Sequence, residues 1–479
     1  MTAVRHIEAG WEPNRAQAAH RRNGRLVVQV EVIKTDALGD RSYVVHDGEV
    51  ALVVDPQRDI DRVEALVAER RLRITHVAET HLHNDYVTGG AELARRHGAT
   101  YLVAEGEGVR FDHRPVRPGE RLDVGGLSVR AVATPGHTEH HVSYLVEDGA
   151  EQAVFSGGSL LYGSVGRTDL VDPDKTAELT RAQYRSAREL TEQARPEAAL
   201  YPTHGFGSFC SSGPAAETDI STVGEQREHN HALTEHDEER FVEQLIANLT
   251  DYPAYYAHMA PLNKDGPGVP ELTVPEPVDA ATLRERIIAG EWVVDLRNRV
   301  AFANKHLAGT VSFEYGDGKH FTTFLGWTVP WGEPLTLVGP GGEVRAAIRD
   351  LARIGIDRPD VAVGDPASGL ASDHPRSSFP SVGWEEVADE FARGNPPTVL
   401  DVRRAEEFKS QHVEGAIHIP LHELLSRMDE LEHGRRLWVH CGSGYRSAVA
   451  ASLLESDGHS VVHINGDYSE AENAGVPVT

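Results

Sequence analysis

Hydrophobic and polar positions alternate in short runs along the first 200 residues, and glycine and proline separate the runs. Runs such as VVQVEVI, SYVV and VALVVD are rich in β-branched residues and predict strands, whereas IDRVEALVAERR and GGAELARRHG have helical spacing. Further short strands and a helix over TAELTRAQYRSARELTEQA continue the pattern. This order predicts an α/β domain, which the helical stretch from about Ser221 to Tyr256 closes.

Changes in composition mark the expected domain boundaries. Residues 1–27 are polar and aperiodic, which predicts an N-terminal arm. The segment NKDGPGVPELTVPEPVD combines proline, glycine and acidic residues without periodicity, as linkers do. We therefore expect a first domain over residues 28–264 and a linker over residues 265–278.

The part of the chain after the linker contains an internal repeat. VVDLRNRVAFANKHLAGTV, from Val293, aligns without a gap on VLDVRRAEEFKSQHVEGAI, from Val399, at an offset of 106 residues. A repeat of this length indicates two copies of one small domain rather than a solenoid. We call residues 279–370 the first repeat and residues 380–479 the second repeat.

Charge and cysteine content exclude several classes of function. The chain has 479 residues and a formal net charge of −27, which disfavours binding to nucleic acid or to anionic membranes. No apolar run approaches the ~20 residues that span a bilayer, and no secretory signal is recognisable, so a cytoplasmic location is expected. Cys210 and Cys441 are the only cysteines, which excludes a disulfide framework.

A candidate nucleophile lies in the second repeat. The apolar strand RRLWVH runs into Cys441 and a glycine-containing loop, and a helical pattern follows. Backbone N–H groups and the helix dipole at such a loop favour a thiolate, so we expect Cys441 to be nucleophilic and Arg446 to pair with an anionic substrate. The alternative is a buried thiol at a strand end. The remaining loop residues expected to contact the substrate are Gly442, Ser443, Gly444, Tyr445 and Ser447.

The segment from Asp401 to Pro420 and the C-x-x-G-x-R-S loop resemble the rhodanese family, over about residues 383–475. The loop is one residue shorter than in phosphatase relatives of this fold, which suits a sulfane sulfur better than a phosphate. The resemblance implies a sulfurtransferase that works through a Cys441 persulfide and takes sulfur from thiosulfate or a persulfide. In the first repeat Gly339 stands in place of the nucleophile, so an inactive rhodanese-like domain is expected there.

Histidines near the end of a predicted strand form a candidate metal site. The strand ITHVAE leads into THLHNDY, where period-two spacing would put His81 and His83 on one side, and Asp85 follows. His137 and His204 come later, in TPGHTEHH and YPTHG. We expect His81, His83 and His137 to bind one metal ion, iron or zinc, with Asp85 and His204 nearby. The alternative is a set of histidines that bind no metal.

The segments ETHLHNDYVTGG, ATPGHTEHHVSYLV, GRTDL, YPTHG and STVGEQREHN resemble the metallo-β-lactamase fold and its persulfide dioxygenase branch, over about residues 32–263. The whole chain resembles the persulfide dioxygenase-rhodanese fusions. This resemblance implies a metallo-β-lactamase αββα sandwich followed by two rhodanese-like α/β domains, and a role in sulfur metabolism. The expected partners are thiosulfate and a glutathione-type persulfide, and a homo-oligomer is compatible with the sequence.

Two positions depart from the persulfide dioxygenase pattern. The family motif H-x-H-x-D-H ends in Tyr86, and the motif F-T-G-D, whose Asp binds metal, ends in Gly158. Glycine has no side chain to coordinate iron, so a ferrous site would need a carboxylate from Asp85 or Glu139. Two alternatives stay open for the first domain: a zinc-dependent thioester-type hydrolase and a non-catalytic scaffold. Cys210 is expected to be either a buried thiol or a sulfur relay between domains.

Overall fold

The computed structural model describes residues 28–479, except residues 317, 319 and 368. The arm predicted for residues 1–27 lies outside the described residues. None of the helices that the structure describes combines the length and the apolar character needed to cross a membrane.

The first domain contains twelve described strands and seven described helices. The strands are β1 Gln29–Thr35, β2 Asp40–His46, β3 Val50–Val54, β4 Arg73–Ala78, β5 Thr100–Ala104, β6 Arg114–Val116, β7 Arg121–Val124, β8 Leu127–Ala133, β9 Val142–Glu147, β10 Gln152–Gly157, β11 Ala199–Pro202 and β12 Ser221–Thr222. The helices are α1 Asp61–Arg70, α2 Gly90–His97, α3 Thr176–Gln193, α4 Val223–His229, α5 His231–Thr234, α6 Glu238–Ala247 and α7 Tyr256–Asp265. The stretch predicted as helical is thus three helices, α4 to α6, followed by irregular chain before α7.

These strands form two six-stranded sheets that pack face to face. Their orders are β1-β2-β3-β4-β5-β6 and β12-β11-β10-β9-β8-β7. Side chains alternate across β2 with the period of two that a strand imposes: Tyr43 and Val45 belong to the core between the sheets, whereas Val44 packs with α1 and α2 on the outer face. Helices α3 and α6 cover the other sheet. The predicted αββα sandwich is confirmed for this domain.

The two repeats have matching elements in the same order. The first repeat contains α8 Ala280–Ala289, β13 Trp292–Asp295, α9 Arg299–Asn304, β14 His306–Leu307, β15 Val311–Ser312, α10 Phe321–Thr328, β16 Leu335–Gly339, α11 Gly341–Arg353 and β17 Asp360–Val363, and β18 Arg376–Ser377 follows it. The second repeat contains β19 Ser381–Val382, α12 Trp384–Ala392, β20 Thr398–Asp401, α13 Ala405–Ser410, β21 Ile417–His418, α14 Leu421–Arg427, β22 Arg436–His440, α15 Tyr445–Ser456, β23 Ser460–Ile464 and α16 Ala471–Ala474.

Both repeats are built on parallel sheets with the same strand order. The first sheet runs β15-β13-β16-β17, and the second runs β21-β20-β22-β23 with β19 added at the edge. Since parallel strands point the same way, the loops after β16 and β22 lie at equivalent edges of the two sheets. Gly339 ends β16, and Cys441 directly follows β22.

The first domain and the two repeats share one apolar core. Tyr255 from the first domain, Phe321 from the first repeat and Val449 from the second repeat belong to a single buried cluster. Buried ion pairs join the same surfaces: Arg353 of α11 donates to Asp59 at 2.7 Å. Burial alone would raise the pKa of Asp59, but Arg353 and Arg62 outweigh it and hold that pKa well below its usual range. The Asp59 carboxylate is therefore ionised although it is buried between the first domain and the first repeat.

Candidate metal centre and nucleophile loop

The first candidate site lies in the first domain, where chain segments that follow three strands meet. His81 follows β4, His137 follows β8 and His204 follows β11. One ring nitrogen from each of these histidines lies within 4.8 Å of the other two, and all three rings are buried. The Nε2 atoms of His204 and His81 are 3.2 Å apart. These distances bring together three imidazoles that could bind one metal ion.

The second ring nitrogen of each histidine is fixed by a hydrogen bond. Nδ1 of His137 donates to the carbonyl oxygen of Arg167 at 2.7 Å, because a carbonyl can only accept. Nδ1 of His81 lies 2.9 Å from the Thr80 hydroxyl, which already donates its proton to Asp55 and therefore accepts from the ring. Nδ1 of His204 is 2.9 Å from the carboxylate of Asp40. The Nε2 atoms are thus the ones left to face an ion, as in metal sites whose ligands are oriented by such partners.

Nε2 of His137 has no hydrogen-bond partner among the described residues and is buried. An orphaned buried nitrogen costs free energy, so its position beside two other imidazoles is consistent with a bound cation. Burial, helped by the neighbouring His204, lowers the pKa of His137 to about 3. Its ring is therefore neutral and can act as a ligand.

His83 lies beside His81, as the period-two spacing predicted, with ring centroids 4.1 Å apart, but its ligand atom is grouped with those of Asp85 and His204 rather than with His137. Nε2 of His83 lies 3.3 Å from both Asp55 and Glu79, and these two carboxylates outweigh burial and raise the pKa of His83 to about 9. His204 takes the place that the sequence assigned to His83.

The predicted ligand Asp85 lies behind His204. Its Oδ2 is 3.2 Å from Nδ1 of His204, on the ring edge away from His81, and Ser208 donates to the same oxygen. Burial alone would lower the pKa of His204, but Asp85 and Asp40 outweigh it and raise that pKa to about 10, so this ring must release a proton to bind a metal ion. Glu139, the other predicted carboxylate source, forms a surface ion pair with Lys175. Neither carboxylate lies among the three grouped imidazoles.

The imidazole of His137 fills the space beside Gly158. A Cβ atom built at position 158 would overlap the His137 ring, although the backbone there is not in the left-handed region. The absence of a side chain at 158 thus lets His137 approach the chain closely. The room for the carboxylate that the persulfide dioxygenase pattern expects is occupied.

The second candidate site is the loop from Cys441 to Ser447, between β22 and α15. Cys441 is 1% exposed. Its Sγ accepts a hydrogen bond from the Gly444 N–H at 3.2 Å and lies 3.5 Å from Oγ of Ser447. Gly444 has a φ of 93°, in the left-handed region, which allows its N–H to turn back toward the sulfur. The predicted strand, loop and helix are all present.

Arg446 pairs with a carboxylate of its own domain. Both of its terminal nitrogens donate to Glu407, at 2.6 and 2.7 Å. The pair outweighs burial and lowers the pKa of Glu407 to about 2, so the carboxylate is charged at neutral pH. The sequence predicted a positive group for an anionic substrate, whereas the structure places a neutralised pair there.

The other predicted loop residues contact protein groups through their backbones or rings. The Gly442 carbonyl accepts from the Tyr468 N–H at 2.8 Å, and the Ser443 carbonyl lies 3.4 Å from Arg299 of the first repeat. The Tyr445 ring packs against Phe324, also from the first repeat. Nε2 of His463 donates to the Gly444 carbonyl, and the Ser447 hydroxyl donates to the Ile464 carbonyl.

A pocket of about 10 Å³ adjoins Arg446 at the junction of the two repeats. Arg446, Arg404 and His422 line it from the second repeat, and Phe324 and Trp327 of α10 line it from the first.

Cys210 is fully buried in the shared core. Burial, together with the nearby carboxylates of Asp85 and Asp40, raises the pKa of its thiol well above the usual range. The thiol is therefore protonated at neutral pH.

Sequence reasoning missed several residues that shape the two sites. They are Asp40, Asp55 and Glu79 around the histidines, Glu407 beside Arg446, and Phe324 and Trp327 on the pocket wall. Local signals existed for Glu407, which completes a capping box with Arg404 at the start of α13, and for Glu79, which directly follows β4. The others come from distant strands or from the other repeat, so no local pattern predicts them.

Two regions of the chain match known families. Residues 36–204 match the metallo-beta-lactamase superfamily model, and residues 384–474 match the rhodanese-like domain model. The crystal structure of a metallo-beta-lactamase from Staphylococcus aureus subsp. aureus COL superposes with a TM-score of 0.63 and 25% identity, covering 71% of this chain and 99% of the other. Assignment of the first repeat as rhodanese-like remains a prediction.

Two curated relatives align with the first domain. A hydroxyacylglutathione hydrolase from Acidiphilium cryptum is 30% identical over 167 residues, which are 34% of this chain and 64% of the hydrolase. The mitochondrial persulfide dioxygenase ETHE1 of Homo sapiens is 28% identical over 217 residues, 45% of this chain and 76% of that protein. The chain thus spans less than two thirds of the hydrolase.

Proposed function

We propose that this protein, in which a metallo-β-lactamase domain with ETHE1 homologues precedes a C-terminal rhodanese-like domain, is a sulfur-metabolism enzyme that transfers sulfane sulfur through Cys441. One observation carries the proposal: Sγ of Cys441 sits in a loop whose Gly444 N–H points at the sulfur, directly before α15. Backbone N–H groups and a helix start stabilise a thiolate and then a persulfide anion.

The reaction proceeds by two sulfur transfers. The Cys441 thiolate attacks the outer sulfur of thiosulfate, a new S–S bond forms, the original S–S bond breaks, and sulfite leaves with the bonding electrons. A second nucleophile, a thiol or cyanide, then attacks the terminal sulfur of the persulfide and releases the Cys441 thiolate. No external oxidant is needed, because the sulfur carries its oxidation state from donor to acceptor.

Arg446 has an electrostatic and a positioning role in this scheme. Its ion pair with Glu407 holds the guanidinium beside the loop, and the nearby Cys441 sulfur favours the charged form. An anionic donor that enters the pocket would compete with Glu407 for the same two N–H groups. Arginine suits such an exchange because it binds carboxylates and oxyanions through two parallel hydrogen bonds.

In the first domain, the donor set fits a divalent ion held by His81, His137 and His204. The orphaned Nε2 of His137 and the fixed Nδ1 atoms of all three rings support this fit. Three imidazoles are a donor set typical of catalytic zinc, whereas a ferrous triad needs a carboxylate that is absent at position 158. When bound, such an ion supplies a Lewis acid and an activated water molecule. The buried carboxylates Asp40 and Asp85 keep His204 oriented.

This donor set favours a zinc-dependent, thioester-type hydrolase as the second function, next to the persulfide dioxygenase activity that the ETHE1 homology suggests. Metal analysis of the purified protein separates the alternatives when it is combined with two assays. Iron with oxygen uptake on glutathione persulfide supports a dioxygenase, and zinc with thioester cleavage supports a hydrolase. Absence of any metal supports a scaffold.

The sulfur-transfer proposal is tested by mass spectrometry of the full chain after incubation with thiosulfate. The expected result is a gain of one sulfur atom on the Cys441 peptide, which a thiol or cyanide removes. An unmodified Cys441 peptide in a folded protein would contradict the proposal.

The ligand assignment is tested by comparing His204→Ala with His83→Ala, both of which remove one buried imidazole. The first should lower the bound metal content more strongly, because His83 faces Asp55 and Glu79 instead. The reverse order would restore the assignment made from the sequence.

A further inference from the structure

A third group of metal-binding side chains lies on the second repeat, at the sheet edge opposite to Cys441. Strands β22 and β23 are parallel neighbours, with Arg436 opposite Ser460 near their starts. The turns before these strands therefore meet at one edge of the sheet. His433 lies in the turn before β22, and Asp457 and His459 lie in the turn between α15 and β23.

These three residues bring two imidazoles and a carboxylate close together. One ligand atom from each lies within 4.8 Å of the other two. Nε2 of His459 is 3.4 Å from Oδ2 of Asp457, and the rings of His433 and His459 stack with centroids 4.2 Å apart. Two imidazoles and a carboxylate are ligands that zinc and similar divalent ions accept.

His459 gives an independent indication that the group binds a ligand. Its side chain is 1% exposed, yet neither of its ring nitrogens has a hydrogen-bond partner in the described part of the chain. A buried polar group left without a hydrogen bond costs free energy. The His433 imidazole covers the ring face, and Asp457 lies 3.4 Å from Nε2 without forming a hydrogen bond to it.

We propose that His433, Asp457 and His459 bind a divalent transition-metal ion of the Zn²⁺ class, with water in the remaining position. The two imidazole planes are 12° apart, so their nitrogens do not yet converge. Binding requires the exposed His433 ring to turn its edge toward the ion, while the buried His459 stays in place. This site is separate from the histidines of the first domain and does not depend on the proposed sulfur transfer.

The site's position predicts what the ion does. Strand β22 ends at His440, directly before Cys441, and α15 begins at Tyr445. An ion held by His433, Asp457 and His459 would link the start of β22 to the end of α15. The two elements that carry the nucleophile loop would then be joined at their far ends, which stabilises the second repeat without touching the substrate.

The test is a Zn²⁺ titration by calorimetry of the metal-free full chain and of four full-length variants. His433→Ala and Asp457→Asn should each remove one binding event, while His137→Ala retains that event because it alters only the first-domain site. His229→Ala is the matched control: His229 is a histidine with a 75% exposed side chain next to one carboxylate, and its loss should remove nothing. Identical titrations for His433→Ala, Asp457→Asn and the unaltered protein would overturn the proposal.

Cobalt absorption gives a second readout that a folding defect does not imitate. Co²⁺ bound by two imidazoles and a carboxylate in a four-coordinate site should give visible bands in the His137→Ala variant, and His433→Ala added to it should abolish them. Circular dichroism checks that each variant is folded.

Zn²⁺ should also raise the melting temperature of His137→Ala and not that of the double variant, since a ligand that binds only the native state stabilises it. Bands or a shift that persist in the double variant would count against the site.

Discussion

The two repeats keep the same scaffold and differ in the loop that follows the equivalent strand. In the first repeat, Arg297 donates to Asp295 through its backbone N–H at 3.0 Å and through its guanidinium at 2.6 Å. In the second, Arg403 makes the same two bonds to Asp401, at 2.9 and 2.6 Å. Each guanidinium then reaches a backbone carbonyl at the end of the next helix, that of Lys305 or of Gln411.

The aromatic pairs of the repeats match as well. His306 stacks on Phe302 and His412 stacks on Phe408, in both cases with ring centroids 3.9 Å apart. The loops, by contrast, have diverged: α11 begins two residues after Gly339, whereas α15 begins four residues after Cys441. The motif residues that both repeats share therefore stabilise the fold. The candidate nucleophile is present only in the loop of the second repeat.

The largest effect that this comparison predicts is the loss of activity in Cys441→Ser. Removal of the only loop thiol should lower thiocyanate formation from thiosulfate and cyanide to background, with the fold intact, because a serine hydroxyl is not a nucleophile at neutral pH. Cys210→Ala serves as the control, since Cys210 lies in the first domain and should keep full activity. Sulfur transfer in Cys441→Ser would show that another residue carries sulfur.

Loss of the Asp–Arg contact that both repeats share should lower the free energy of unfolding by a similar amount in each repeat. Asp295→Asn and Asp401→Asn each leave a partner arginine without its buried carboxylate, which typically destabilises by about 3–5 kcal/mol. Urea unfolding followed by circular dichroism measures this, with Asp389→Asn as the control, because its ion pair with Arg393 is exposed and contributes little. A large effect in only one repeat would break the equivalence of the two scaffolds.

A smaller effect is expected for Arg446→Lys. Lysine keeps the charge but cannot make two parallel hydrogen bonds, so the donor KM should rise and kcat/KM should fall about tenfold, or about 1.4 kcal/mol of transition-state stabilisation. Steady-state kinetics with thiosulfate measures the change. Unchanged constants would mean that Arg446 only supports the structure.

The acid stability of the two repeats should differ through Glu407, which has Ala301 as its counterpart in the first repeat. Its pKa falls from 4.5 to about 2 in the folded protein, so its stabilising contribution is complete above pH 4.5 and is lost as the pH falls toward 2. The Glu407→Gln variant should lack this part of the acid dependence in urea unfolding measured from pH 5 downward, as far as the protein stays folded without urea. If the free energy of unfolding depends on pH in the same way in the variant and in the unaltered protein, the lowered pKa of Glu407 does not contribute to acid stability.

The smallest expected effect is that of Gly339→Cys in the Cys441→Ser background, which should give no sulfur transfer. The loop after Gly339 is too short to surround a sulfur, no arginine matches Arg446, and a Cβ at position 339 would lie 3.2 Å from that of Leu296. Thiocyanate formation is again the measurement. Detectable thiocyanate formation would show that a cysteine at position 339 is active without the longer loop and the arginine of the second repeat.

Local sequence patterns predicted the scaffold and the Cys441 loop well because both depend on short-range rules. Period-two runs produce the strands, and the loop is continuous in sequence. Period-two spacing also puts His83 beside His81, with ring centroids 4.1 Å apart, but it does not predict the contact of His83 with Asp55, which lies 28 residues earlier in the chain. The partner of Arg446 lies 39 residues earlier in the chain, at Glu407. The aromatic wall of the pocket comes from the other repeat, and only the folded chain brings it there.

The buried ion pair between Asp59 and Arg353 has a consequence for any attempt to divide the chain. A cut in the linker would separate these partners and leave an ionised carboxylate on one fragment and a guanidinium on the other, each on a newly exposed apolar surface. We expect the fragments to be less soluble and less stable than the whole chain, and to associate when mixed, because association would cover both surfaces again. The linker therefore marks where one architecture gives way to another, and not where the protein could be divided into autonomous parts.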